Sequence, residues 1–246
     1  MPYDRLRRIR MRGGVPRHVA VIMDGNGRGH AVAHGRHSGH REGVQAVREV
    51  VEGALDAGIE ILTLFACSTD EGRRSGREVA ALMGLLQRYA LRERDALRER
   101  GVEVHVLGDL DGLDPSIRDA IATIVEGTRG GDALRLNLMI SYGGREELVH
   151  AARTLMDRVR RGELDPRLID DDIVEDALFT RGLPHPDLLI RSSGDFRISN
   201  FMLWQIAYTE LHVTPVVWPR FRREHLFDAV LDFQGRERRY GRVHSS

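Results

Sequence analysis

The feature that most constrains the fold of this chain is a rhythm in which short apolar runs are separated by stretches of helical periodicity. The runs are His18 to Met23, Ile59 to Ala66, Val102 to Leu107, Leu134 to Tyr142, Asp187 to Arg191 and Val213 to Trp218. Runs of this length read as strands, and strands apolar on both faces are covered on two sides. Val44, Val47, Val51 and Leu55 repeat at helical spacing, as do Val79, Leu82, Met83 and Leu86, so each set puts its apolar side chains on one helix face. This alternation predicts an α/β fold with a mainly parallel central sheet flanked by helices, and places ligands at the carboxyl ends of the strands. The segment from Asp157 to Asp187 reads as a helical connection, and no repeat or linker divides the chain. A basic N-terminal segment, residues 1–17, followed by one domain, residues 18–246, is the expected organisation.

Charge and composition then remove several functions. The 37 basic residues balance 37 acidic ones, so no global field attracts nucleic acid and an anion site has to be built locally. Every basic residue except histidine is arginine. Without lysine there is no Walker phosphate lysine, no Schiff base and no pyridoxal chemistry. Arginine's planar fork suits bidentate phosphate contacts. Cys67 is the only cysteine, which excludes an intrachain disulfide and a cysteine zinc site and fits a cytoplasmic location. Residues 1–17 hold six arginines but no signal-peptide core, and no transmembrane segment is expected. A solvated basic helix face is the expected role of that stretch, with contact to anionic lipid as the alternative.

Three constellations carry chemistry. In the first, the strand from His18 runs into Asp24, Gly25, Asn26, Gly27 and Arg28. Glycines let the backbone approach a ligand, Arg28 can grip phosphate and Asp24 can hold a hard cation, although an ordinary Asp-Gly turn would read the same. Arg36 and the Ser38-Gly39-His40 turn lead into the next helix, another candidate anion site. The second is a polar loop, Ser68, Thr69, Asp70, Glu71, Gly72, Arg73 and Arg74, with Glu78 opening a helix; Ser68 and Arg74 can bind phosphate, and a capped surface loop is the bland alternative. The third gathers Arg191, Arg197 and Ser199 around a glycine turn, a set suited to a diphosphate, with Glu210 following as a possible second metal carboxylate.

Together with SYGGREEL at Ser141 to Leu148 and RERRYG at Arg236 to Gly241, these motifs resemble the cis-prenyl transferase family, whose bacterial archetype is undecaprenyl diphosphate synthase. The resemblance runs from about His18 to Gly241. It implies a Mg2+-dependent homodimer that condenses allylic isoprenoid diphosphates, with an apolar tunnel for the growing chain. Carried over by position, Asp24 resembles the magnesium aspartate, and Gly25, Asn26, Gly27, Arg28 and Arg36 the donor-diphosphate cradle. Arg191, Arg197 and Ser199 resemble the acceptor clamp, and Glu210 a metal-linked carboxylate reaching across the dimer. His40, Ser68, Arg74 and Glu78 also fall on family positions.

The pattern breaks at the substrate sites. The family's Ser-x-Glu-Asn-Trp loop is here Ser68, Thr69, Asp70, Glu71 and Gly72; Gly29 stands for a Trp; and Ser192, Ser193 and Phe196 stand for Thr, Gly and His. These departures resemble the irregular, lavandulyl-type branch, so head-to-middle coupling of substrates such as dimethylallyl and geranyl diphosphate is the preferred expectation. Glu71 would then orient the metal-bound diphosphate or assist proton removal, or else pair with Arg73 or Arg74. Regular Z-chain elongation with isopentenyl diphosphate is the alternative. A non-catalytic partner subunit is disfavoured, because such subunits lose the aspartate and the arginine clamp that this chain keeps.

Overall fold

The structure, a computed structural model, describes residues 2–25, 36–66 and 93–236, with only the backbone described for Pro2 and residues 36–41. Six strands form one all-parallel sheet: β1 (His18–Ile22), β2 (Ile61–Phe65), β3 (Val102–Leu107), β4 (Leu134–Met139), β5 (Leu188–Arg191) and β6 (Glu210–Val213), in the order β3-β4-β2-β1-β5-β6. The labelled helices are α1 (Pro2–Arg12), α2 (Arg36–Ala57), α3 (Pro115–Thr128), α4 (Gly144–Arg160), α5 (Asp171–Asp176) and α6 (Arg223–Gln234).

The two-sided covering predicted from the apolar runs is literal in β1, where every residue is buried. Val19 and Val21 join a large cluster with Val50 and Ala54 of α2, Phe227 and Val230 of α6 and Ile9 of α1. Ala20 and Ile22 point the other way, into a second cluster with Met139, Tyr142, Phe201 and Met202. Period-two side chains thus serve two cores, and each fully buried aliphatic or aromatic side chain contributes about 1.5 to 3 kcal/mol. α1 is fastened to α6 by Arg5 Nε, which donates to Asp228 Oδ1 at 2.5 Å, and by Gln234 Nε2, which donates to the Ile9 carbonyl at 3.1 Å.

Two expectations need correction. The last strand is Glu210–Val213, not Val213 to Trp218, and residues 218–220 form a 3-10 turn. Pro215 and Pro219 have no N–H to give a ladder, and the Thr214 and Val216 carbonyls instead accept from Gly194 N at 2.9 Å and Ser193 N at 2.8 Å. The stretch from Asp157 to Asp187 is helical only to Arg160, in a turn at Pro166–Leu168 and in α5. Asp165 and Asp170 cap these two short pieces by accepting from Arg167 N and Ile173 N. The helix expected around Val79 to Leu86 lies outside the described residues.

Candidate active site at the carboxyl ends of β1 and β5

β1 and β5 pair in a register that sets Ile22 opposite Arg191. Residue Asp24, two positions on, therefore lands beside that guanidinium although 167 residues separate the two. Arg191 Nη2 donates to Asp24 Oδ2 at 2.8 Å and lies 3.5 Å from Asp195 Oδ2; Nη1 donates to Ser199 Oγ at 2.8 Å and to the Arg197 carbonyl. The side chain is 3% exposed, so its fork is committed to protein oxygens. Its Nε is buried with no hydrogen-bond partner among the described residues. Arg197 differs: Nη2 donates to Asp195 Oδ2 at 2.7 Å, but the side chain is 68% exposed and open to an incoming anion.

Local backbone chemistry holds Asp24 at the strand end. Gly25 has φ +93°, and a Cβ there would meet Val217 Cβ at 2.9 Å, so both conformation and space call for glycine. Gly25 N donates to Asp24 Oδ1 at 2.6 Å and Trp218 N donates to the Asp24 carbonyl at 2.9 Å. The Ser192 hydroxyl accepts from Asp24 N at 2.8 Å and lies 2.8 Å from the Asp24 carbonyl and 3.2 Å from that of Ile22, to one of which it donates. The loop is strained as well: Ser193, Ser199, Asn200 and Met202 all have left-handed φ values, costing about 1 to 2 kcal/mol each at the two serines and the methionine and less at Asn200.

Behind the loop, Glu147 of α4 is fully buried. It accepts from Tyr142 Oη at 2.6 Å, Gln205 Nε2 at 2.9 Å and Phe179 N at 3.0 Å, while Gln205 Nε2 also donates to Thr180 Oγ1 at 2.7 Å. Burial pushes the Glu147 carboxyl above its ordinary pKa, against the pull of those donors. Burial also pushes the Tyr142 phenol upward, with the Glu147 charge second, so this hydroxyl stays protonated and donates.

Of the residues expected at the site, Asp24, Gly25, Arg191, Arg197 and Ser199 are brought together. Asn26, Gly27, Arg28, Ser68, Glu71, Arg74 and Glu78 lie outside the described residues; Ser38, Gly39 and His40, expected as a turn before the helix, are instead helical, so Arg36 and His40 fall in the first turns of α2 with side chains undescribed. Glu210 is elsewhere: it opens β6 level with Leu188 and hence with Val19, five residues before Asp24. That offset is roughly 15 Å or more at the rise of a strand. Glu210 accepts from Arg236 Nη1 at 2.7 Å. Ser192 is singled out from the sequence only as a departure from the family pattern, and Asp195, Asn200 and Glu147 are not singled out; an acid between the two arginines of the third constellation is the signal that could have found Asp195.

Among the described residues no three His, Cys, Asp or Glu side chains gather as a metal cage. Asp24, 30% exposed at a strand end, fits the other mode of Mg2+ binding, in which one or two carboxylates share the ion with substrate phosphates and water.

A family model described as "Putative undecaprenyl diphosphate synthase" matches residues 22–241. An isoprenyl transferase of Prochlorococcus marinus is 45% identical over 93% of this chain and 86% of its own length. One of Zymomonas mobilis is 44% identical over 92% of each. Among solved structures, lavandulyl diphosphate synthase from Lavandula x intermedia, in complex with dimethylallyl diphosphate, matches at TM-score 0.88 and 33% identity over 93% of this chain and 99% of that one. A probable undecaprenyl diphosphate synthase from Campylobacter jejuni matches at TM-score 0.77 and 29% identity, covering 94% and 100%.

Proposed function

Because the chain belongs to the undecaprenyl diphosphate synthase family of prenyl transferases, we propose that it is a regular Z-chain elongating enzyme that adds isopentenyl diphosphate to an allylic diphosphate. The observation that carries this reading is the set of relatives named isoprenyl transferase, 39% to 45% identical along nearly the whole chain. It reverses the preference for head-to-middle coupling drawn from the altered loops. The altered loops are a few positions, whereas similarity of this extent runs through scaffold and substrate motifs alike.

In this reading Asp24 holds Mg2+ together with the substrate diphosphate, and Arg191 fixes the direction of its carboxylate. The ion, when bound, offsets the charge of the departing diphosphate. Arg28, Gly25, Asn26, Gly27 and Arg36 cradle the donor. Arg197 and Ser199 grip the acceptor diphosphate, and Asp195 holds Arg197 ready until it is displaced. The allylic C–O bond breaks with the electron pair leaving on diphosphate, the acceptor double bond attacks the allylic carbon, and the acceptor carbon then loses a proton. A homodimer accounts for Glu210, which can approach a metal at Asp24 only from a second copy. The apolar tunnel belongs to the same proposal.

Head-to-middle coupling stands second. It is favoured by the shape likeness to lavandulyl diphosphate synthase and by Glu71 and Gly72 in place of Asn and Trp. Mass spectrometry of products from the purified protein with Mg2+ separates the two. Linear Z-chains from isopentenyl diphosphate plus geranyl diphosphate are expected. A branched product from dimethylallyl diphosphate alone, with isopentenyl diphosphate unused, would overturn the assignment.

A further inference from the structure

The start of α4 is capped from a distance. Its own N-cap, Gly143, makes no side-chain hydrogen bond, yet the first N–H groups of a helix need acceptors. Gly144 N donates to the Asn200 carbonyl at 2.7 Å and Arg145 N donates to Asn200 Oδ1 at 2.9 Å. The same side chain turns its Nδ2 to Glu146 Oε2 at 3.0 Å. A Cβ on Gly144 would lie 2.6 Å from Leu203 Cγ and 3.2 Å from the Asn200 carbonyl, so the absence of a side chain there lets the loop seat on the helix.

Asn200 also has φ +59° beside Ser199 at +48°. Asparagine is among the few residues other than glycine that enter this region readily. Ser199 is in turn fixed by Arg191 Nη1 at 2.8 Å, and the Arg197 carbonyl accepts from the same nitrogen. The turn that presents Ser199 and Arg197 is therefore held at one end by Arg191 and at the other by Asn200 on the helix start.

We infer that Asn200 is a positioning residue for the acceptor diphosphate, acting through Ser199 and Arg197 by capping α4 from across the fold. This rests on the reading of those two residues as the acceptor clamp. The residue type follows from the geometry: the side chain must accept from Arg145 N with one atom and donate to Glu146 with the other. Aspartate keeps the acceptor but sets a second carboxylate oxygen against Glu146. Glutamine at 146 restores a donor to that oxygen.

The test is a charge-swap cycle on the full chain, reading kcat, the KM for isopentenyl diphosphate at saturating geranyl diphosphate, and the thermal midpoint. Asn200→Asp is expected to raise that KM about tenfold with kcat within about twofold, Glu146→Gln to leave both unchanged, and the double variant to return KM to within about twofold of wild type. An unchanged KM in Asn200→Asp, or no recovery in the double variant, overturns the inference. Should Asn200→Asp fail to fold, Asn200→Gly keeps the left-handed backbone and its carbonyl while deleting the side chain. An unchanged KM there is equally fatal. Arg197→Ala and Ser199→Ala run in the same assay. If neither raises the acceptor KM, the clamp reading falls and takes the inference with it; if both do while the Asn200 variants do not, only the inference falls.

Discussion

The two ends of β1 bury polar groups in opposite ways. At the amino end, His18 Nδ1 donates to the Pro184 carbonyl at 2.7 Å, and its Nε2 accepts from Thr63 Oγ1 at 2.8 Å, which accepts from Asn137 Nδ2 at 3.0 Å. Every member of this chain is neutral and partnered, and the three residues are fully buried. At the carboxyl end, Asp24 is charged and partly open, Arg197 is largely exposed, and the neighbouring loop is left-handed at several residues. Complete satisfaction gives stability and one arrangement; spare charge and held strain leave capacity for a ligand. The same strands thus carry scaffold at one end and the candidate site at the other.

The largest effect that tests this contrast is expected from Asp24→Ala. It should lower turnover about a hundredfold or more, as for loss of a principal electrostatic group, while the chain still folds with a lowered thermal midpoint, because the buried Arg191 loses its nearest carboxylate. Retained Mg2+-dependent turnover would break the assignment.

Next comes the pH dependence of the amino end. Burial lowers the His18 pKa from 6.5 to about 4, with the Pro184 carbonyl opposing. The unfolded chain therefore takes up a proton first as pH falls. Stability from this site is whole above pH 6.5 and is lost progressively toward pH 4, by about 3 kcal/mol in all. Denaturant melts across that window should show the slope, and His18→Gln, which stays neutral, should flatten it. An identical slope in that variant would move the titration elsewhere.

A smaller effect is predicted for Arg197→Lys: the acceptor KM should rise about tenfold, near 1.4 kcal/mol, because an ammonium cannot reproduce the planar fork. Titration with an acceptor diphosphate measures it directly, and unchanged affinity would point Arg197 away from the ligand. The smallest change is reserved for an exposed pair remote from both ends. Arg129 and Glu126 are both well exposed, so Glu126→Ala should shift stability by less than about 0.5 kcal/mol.

Much of this molecule can be read from local sequence. Val102 to Leu107 matches β3 from end to end, and His18 to Met23 matches β1 to within one residue, because apolar runs in a two-sided sheet carry their own limits. Asp24 and Gly25 are legible for a similar reason, since a carboxylate and a glycine at the end of such a run cannot continue it. The apolar character of Val216, Val217 and Trp218 misplaces β6 because it outweighs the two prolines; Val216 and Trp218 pack against the core and do not extend the sheet. Within one chain Glu210 lies at the opposite end of the strands from Asp24, a placement that motif position alone does not reveal.

By itself, then, the sequence determined the alternation of strand and helix, the two-sided sheet, and the residue types available for diphosphate chemistry, all of which depend on neighbours close along the chain. Tertiary structure alone decided that Ile22 faces Arg191 across a strand pair, so that Asp24 meets a buried guanidinium, and that Asn200 supplies the cap α4 lacks. These are matters of register and of left-handed turns held by partners more than fifty residues away. Local preference cannot encode them, because the groups that make them favourable meet only after the sheet has formed.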